Sequence, residues 1–195
     1  MLSTHISHQI YAKLSFEATF NQKKIIEMLS LWLADDDYRR IFLLNGYAGT
    51  GKTTIIAAFV AALNELGVKT ILLAPTGRAA KVLSHYAHKE AHTIHKRIYR
   101  ERTSGDFESK FSLDFNKERG AVFIVDEASM LSASSSEGAI FGTGNLLDDL
   151  VEYVRSGKEC RLMLVGDDAQ LPPVGDDYSP ALDPATIMHY GEVEY

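Results

Sequence analysis

The nine residues "GYAGTGKTT" (46–54) lie between one apolar run, "IFLL" (41–44), and another, "TTIIAAFVAALNEL" (53–66). Gly46, Gly51, Lys52 and Thr53 fit the spacing G-x-x-x-x-G-K-[ST], and the flanks read as the strand before it and the helix after it that this pattern requires. Glycines let several backbone N–H groups converge on one point, and a helix amino terminus adds partial positive charge there. The stretch is therefore read as a cradle for phosphates, with Gly46, Gly49, Thr50, Gly51, Lys52, Thr53 and Thr54 as the candidate nucleotide-binding residues. Lys52 would reach the outer phosphates, and the Thr53 hydroxyl would ligate Mg²⁺.

The rest of the chain supplies a frame for the cradle. "FEATFNQKKIIEMLSLWLAD" (16–35) repeats Phe20, Ile25, Met28, Leu29 and Trp32 at helical steps. "KTILLA" (69–74), "AVFIV" (121–125) and "RLMLV" (161–165) read as buried strands. "TGRAAKVLSHYAH" (76–88) reads as a helix capped by Thr76, and "GNLLDDLVEYVRSG" (144–157) as a helix with one apolar stripe. Continuous apolar strands alternating with helices predict an α/β domain, its sheet mostly parallel and flanked by helices on both faces. Two segments depart from this pattern. "RIYRERTSGDFESKFSLDFNKERG" (97–120) alternates polar and apolar residues about "TSGD" and predicts a small β-hairpin insertion over 97–119. "SASSSEGAIFGTG" (132–144) is rich in serine and glycine and reads as a mobile loop.

A cradle that hydrolyses its ligand needs carboxylates nearby. "VFIVDEAS" provides four apolar strand residues followed by Asp126 and Glu127. At a strand's carboxyl end Asp126 would hold Mg²⁺, largely through water, since that ion keeps much of its hydration shell. Glu127 would orient or deprotonate an attacking water. A third strand leads into "VGDDAQLPPVG" (165–175), where the Gln170 amide is placed to contact a terminal phosphate with both a donor and an acceptor.

"GYAGTGKTT", "APTGRAAKVL" (74–83), "TIHK" (93–96), "VDEASM" (125–130) and "GDDAQLPPVG" (166–175) follow one another in an order that resembles the motifs of superfamily 1 DNA helicases of the RecD-like branch, the group of the exonuclease V alpha subunit. The resemblance runs from about Gln22 to Leu182. It implies a RecA-like P-loop NTPase domain, the first of two motor domains, with ATP and Mg²⁺ as cofactors and 5′→3′ travel. It implies catalytic roles for Lys52, Glu127 and Gln170, and metal binding by Thr53 and Asp126. Gln22 matches the family's adenine-reading glutamine, whose amide suits adenine's N6 donor and N7 acceptor. Pro75, Thr76, Thr93 and His95 match positions that would contact single-stranded DNA, and Arg78, Lys81 and Lys96 are the cations within those motifs that would accompany them.

Charge agrees with the DNA assignment only locally. The chain of 195 residues carries a net charge of −6, unlike most nucleic-acid binders. Yet residues 78–102 hold seven Lys/Arg against Glu90 and Glu101, a net of +5 that leaves −11 elsewhere. Read alone, such a run is as well explained by a solvated face. Tyr86 and Tyr99 in the same stretch offer stacking faces for bases. His85, His88, His92 and His95 would share one face if a single helix ran through them, which leaves a metal site open as a rival reading.

A hydrophobic content of 46% suits one globular domain. No apolar run approaches the ~20 residues that span a bilayer, and the amino terminus lacks a signal-peptide core. One cysteine, Cys160, excludes an internal disulfide and fits the cytoplasm. The reading has three further expectations: a monomer, a second RecA-like domain of the full-length protein as partner, and a tail, "SPALDPATIMHYGEVEY" (179–195), that leads towards it. Two alternatives stay open: an NTP-dependent switch without translocation, and a DNA-binding adaptor that uses ATP only for structure.

Overall fold

Along each central strand, successive side chains enter two different cores. Ile41, Leu43, Ile71, Leu73, Phe123, Val125, Leu162 and Leu164 point to one side, and Phe42, Leu44, Leu72, Val122, Ile124, Met163 and Val165 to the other. A strand buried on both faces must lie in the middle layer of three. The computed structural model, which describes residues 2–102, 110–134, 140–173 and 175–195, has that architecture.

In chain order the elements are α1 (Leu2–Tyr11), α2 (Phe20–Ala34), β1 (Ile41–Asn45), α3 (Lys52–Glu65), β2 (Thr70–Ala74), α4 (Gly77–Ala87), β3 (Ala91–Thr93), α5 (Ile94–Ile98), β4 (Tyr99–Arg102), β5 (Lys110–Leu113), β6 (Val122–Val125), α6 (Leu146–Ser156), β7 (Arg161–Gly166), α7 (Pro184–Ile187) and β8 (Val193–Glu194). Six strands form a parallel sheet in the order β3-β2-β6-β7-β1-β8. This is the α/β fold of a RecA-like P-loop domain. Ile10, Ile26, Phe59, Leu63 and Leu83 bring α1 to α4 onto one face, and Ile98, Leu150, Val154 and Ile187 bring α5 to α7 onto the other.

Helix starts follow local chemistry. Thr19 caps α2 by accepting from the Gln22 N–H at 3.4 Å, while the Gln22 side chain accepts from the Thr19 N–H at 3.0 Å, a reciprocal capping box. Thr76 caps α4 at 3.2 Å, and Asn145 caps α6 at 3.0 Å. The far end of α2 is held by Arg161, 4% exposed, which donates to the carbonyls of Leu33, Asp35 and Asp37. Its guanidinium also lies over the rings of Tyr38 and Trp32, 4.6 and 5.6 Å from their centroids.

Several expectations change in detail. The amino terminus, read only for the absence of a leader, is helix α1, which buries Ile6 and Ile10 against α2 and α3. The carboxyl tail does not simply lead away. It makes two 3₁₀ turns and α7, then returns as β8 beside β1. The hairpin is present as β4 and β5, paired antiparallel from Tyr99 with Leu113 to Arg102 with Lys110, but residues after Leu113 leave the ladder. Its "TSGD" tip (103–106) lies outside the described residues, as do 135–139 of the serine-rich segment. The flanks of that segment are pinned rather than mobile. Thr143 donates from its backbone and its hydroxyl to buried Asp149 at 3.1 and 3.0 Å, and Ser132 donates to Asp176 at 3.1 Å. Among the described residues, no helix is long and apolar enough to cross a membrane.

Candidate nucleotide and DNA site

The carboxyl ends of β1, β2, β3, β6 and β7 all face one edge of the parallel sheet, where ligands of open α/β sheets bind. Each motif leaves its strand there. The loop after β1 turns through Gly49 (φ 79°) and Gly51 (φ 89°) before entering α3. Gly51 is doubly constrained: it takes the left-handed conformation, and a Cβ there would lie 2.7 Å from the Gln22 Nε2. The Thr50 hydroxyl donates to the Tyr47 carbonyl at 2.7 Å and tightens the turn. Lys52 Nζ donates to the carbonyls of Gly46 and, at 2.9 Å, Tyr47, so its ammonium lies within the loop. Thr53 and Thr54 are exposed on the first turn of α3, where the helix leaves its leading N–H groups unbonded.

Asp126 and Glu127 follow β6, which is separated from β1 only by β7. Glu127 adopts φ 56°, a left-handed conformation that bends the chain sharply and lets its N–H donate to the Asp126 Oδ1 at 3.0 Å. The Asp126 Oδ2 accepts a hydrogen bond from the Tyr86 hydroxyl, and the Thr53 hydroxyl sits beside the same phenol. Burial, and then the Asp126 charge, push the Tyr86 phenol far above its ordinary range. Burial pushes the Glu127 carboxyl up as well, with Asp126 and Asp167 adding to the rise and Lys52 opposing it. A carboxylate raised in this way is a stronger base than an exposed one. Gln170 is exposed after β7, between the acid pair and the glycine loop, with its backbone N–H donating to the Asp167 carbonyl at 3.2 Å.

Beside the loop is a cavity of about 620 Å³, lined among others by Gln22, Ile25, Met28, Tyr47, Lys52 and Tyr195. Its size and its mix of apolar walls with a few polar groups suit a nucleoside. Gln22 is only 8% exposed. Its carbonyl oxygen takes part in the α2 cap yet keeps a second lone pair, and its amide nitrogen faces Gly51, so it can still read a base edge. Mg²⁺ and a triphosphate fit this donor set: a lysine held over the loop by the Gly46 and Tyr47 carbonyls, the unbonded N–H groups at the start of α3, and a hydroxyl and a carboxylate near one phenol.

The DNA-facing candidates are distributed along the same edge. Thr76, Arg78, Lys81 and Lys96 are exposed, and Pro75 and Thr93 are partly buried. Thr76 and Thr93 each cap a helix with the hydroxyl oxygen as acceptor, which leaves the hydroxyl hydrogen free to donate. His95 is half-buried, its ring 5.0 Å from Phe141 and 5.6 Å from Tyr99, and burial pushes its pKa down. Phe111 stacks on Phe141 at 4.7 Å, so His95 shares one aromatic cluster with the hairpin.

Three sequence readings are overturned here. Tyr86 is turned towards Asp126 rather than towards bases. Tyr99 is 9% exposed and donates to Asp149 at 2.6 Å, so it is a buried anchor for the hairpin. The four histidines do not share a helix: His88 ends α4 in a left-handed cap, His92 lies in β3 and His95 in α5. Among the described residues no group of three or more His, Cys, Asp or Glu is placed to hold a metal. Arg97, counted in the basic stretch, is paired with Glu118 at 2.6 Å. Cys160 is buried beside Asn116, and burial pushes its thiol up, away from nucleophilic use.

The family described as AAA domain matches residues 32–179. Curated relatives include the ATP-dependent RecD2 DNA helicase of Deinococcus radiodurans, 32% identical over 136 residues, which are 69% of this chain and 16% of that protein. The ATP-dependent DNA helicase dda of enterobacteria phage T4 is 36% identical over 138 residues, 67% of this chain and 28% of that protein. The ATP-dependent DNA helicase PIF7 of Trypanosoma brucei brucei is 32% identical over 176 residues, 82% of this chain and 15% of that protein. The chain thus spans less than a third of the length of each.

Proposed function

The chain belongs to the AAA domain family, and from that premise we propose that it is the first motor domain of an ATP-driven DNA helicase. One observation carries this reading. A phosphate cradle, an acid pair and a row of exposed cations all leave the same edge of one parallel sheet. Bound Mg·ATP would supply the transferable phosphoryl group and its charge-neutralising ion. Lys52 and the loop amides would hold the phosphates, Thr53 and Asp126 the metal, and Gln22 the base. Glu127 would take the proton of the attacking water, and Gln170 would contact the terminal phosphate. Single-stranded DNA would run along Pro75, Thr76, Arg78, Lys81, Thr93, His95 and Lys96. We place the protein in the RecD-like branch, as a monomer that works with a second RecA-like domain. Its 5′→3′ polarity is part of the proposal, and unwinding of duplexes with single tails of opposite sense decides it.

The DNA half of the reading is tested by charge. Changing Arg78, Lys81 and Lys96 together to glutamate should weaken binding of a labelled oligo-dT at least about 100-fold at low salt, and flatten the dependence of log K on log salt by about three phosphate contacts' worth. Unchanged affinity, or affinity indifferent to salt in the wild type, would assign these cations to an ordinary solvated face.

The hairpin is proposed as a pin that helps part the strands. It is fixed to the domain by the Phe111–Phe141 stack and the Tyr99–Asp149 hydrogen bond, which suits an element that bears load. Shortening 103–109 to a Gly-Ser turn in the full-length protein should impair unwinding and spare DNA-stimulated hydrolysis. Equal loss of both would refute the role.

A further inference from the structure

Tyr86 joins two parts of the molecule that the motor reading treats separately. It lies in the last turn of α4, and its hydroxyl donates to the Asp126 Oδ2 while the Thr53 hydroxyl sits beside it. The other oxygen of Asp126 already accepts the Glu127 N–H at 3.0 Å. The carboxylate therefore meets a donor at each oxygen, and the phenol that supplies one of them has the Thr53 hydroxyl as a neighbour. The opposite end of the same helix begins at Thr76 and exposes Arg78 and Lys81, the residues proposed to meet DNA. An eleven-residue helix is short and stiff, about 16 Å long, so displacement at one end is felt at the other.

We propose that Tyr86 is a latch on the metal-holding carboxylate: its hydroxyl competes with Mg²⁺ for Asp126, and single-stranded DNA on the first turn of α4 draws it away. Tyr86 is thus a positioning residue that links DNA occupancy to metal-dependent nucleotide binding. The proposal rests on the motor reading but adds a dependence that the reading does not require, since the cradle and the DNA edge would serve equally well with a phenylalanine at this place. Competition follows from where the donors sit. Each Asp126 oxygen keeps a second lone pair, so the competition is for position: a water carried by Mg²⁺ to Asp126 from the Thr53 side would enter where the phenol hydroxyl now lies. Removing the hydroxyl leaves the ring in its packing place while freeing the oxygen.

The test is equilibrium binding of a fluorescent ADP to the full chain and to Tyr86→Phe, each with Mg²⁺ or with EDTA, and each with or without oligo-dT. In the wild type without DNA, Mg²⁺ should strengthen nucleotide binding only modestly, and oligo-dT should enlarge that gain. In Tyr86→Phe the gain should be about 3–10-fold larger without DNA, on the scale of the net worth of one ordinary hydrogen bond, and DNA should add nothing. Thermal melting of the two proteins checks that packing is retained, and a purely structural hydroxyl would shift the melting temperature without changing the metal dependence. Identical metal and DNA responses in both proteins would overturn the latch while leaving the motor reading intact. A larger metal response in the variant, with none to DNA in the wild type, would overturn the link through α4. Failure of both proteins to bind nucleotide or DNA would overturn the motor reading and the latch with it.

Discussion

Steady-state ATP turnover by the 195-residue chain should be slow, by a factor of about 10³–10⁵ relative to a complete two-domain motor. The reason is electrostatic. Phosphoryl transfer spreads negative charge over the γ-phosphoryl oxygens, and catalysis depends on fixed positive groups aimed at it. Around Glu127 the charges that act on its carboxyl are Lys52 against Asp126 and Asp167. One cation is thus set against two further carboxylates. The family resemblance implies that a second RecA-like domain delivers an arginine to the phosphates. On the proposed reading, without such a group the chain would bind nucleotide while hydrolysing it poorly. The assay is ATP turnover by the chain with and without oligo-dT, beside a forked-duplex unwinding assay. Robust DNA-stimulated turnover by the isolated monomer would show that the needed cations are already in this domain.

The second large effect is on binding. Lys52→Ala should weaken a fluorescent ATP analogue in the presence of Mg²⁺ by about 10–100-fold, the scale of losing charge-assisted hydrogen bonds to a polyanion. The fold should barely notice. Lys52 lies at the start of α3 rather than in either core, and its partners are the loop carbonyls of Gly46 and Tyr47, which water can serve once the side chain is cut back. Alanine also favours the helix. The check is paired: analogue titration for affinity, and circular dichroism melting for stability. Equal affinity in wild type and variant would remove the cradle from the assignment.

Much of this site was legible from local patterns, because its parts are short strands and tight loops whose chemistry is written in neighbouring residues. The strand before Gly46, the helix after Gly51 and the strand before Asp126 each announce themselves within a few positions. Thr76 as a helix cap was readable for the same reason. What the sequence hid was contact between distant segments. Nothing near Tyr86 announces that its hydroxyl meets Asp126, forty residues on. Tyr99 looked like an available aromatic face until Asp149, fifty residues away, claimed its hydroxyl. Arg97 counted towards a basic stretch, yet it is paired with Glu118, a carboxylate it shares with Lys69. Helix α1 differs from these: Leu2, Ile6 and Ile10 recur at four-residue steps, so its stripe is local and legible in the sequence. The short strands β3 and β8 carry too few residues for periodicity to speak, and exist because the edges of a larger sheet recruit them.

Hydrogen exchange on the chain, measured alone, with Mg·ADP and with oligo-dT, tests most directly whether one sheet edge serves both ligands. Nucleotide should slow exchange over residues 46–54 and in the first turn of α2 around Gln22. DNA should slow it at the start of α4, over 76–81, and at the start of α5, over 93–96. The back of the sheet, including α6 and the amino end of β7, should be unaffected by either. Protection of 46–54 by nucleotide together with DNA protection confined to those two helix starts is the expected result. DNA protection elsewhere on the molecule, or a glycine loop that exchanges equally fast with and without Mg·ADP, would contradict it.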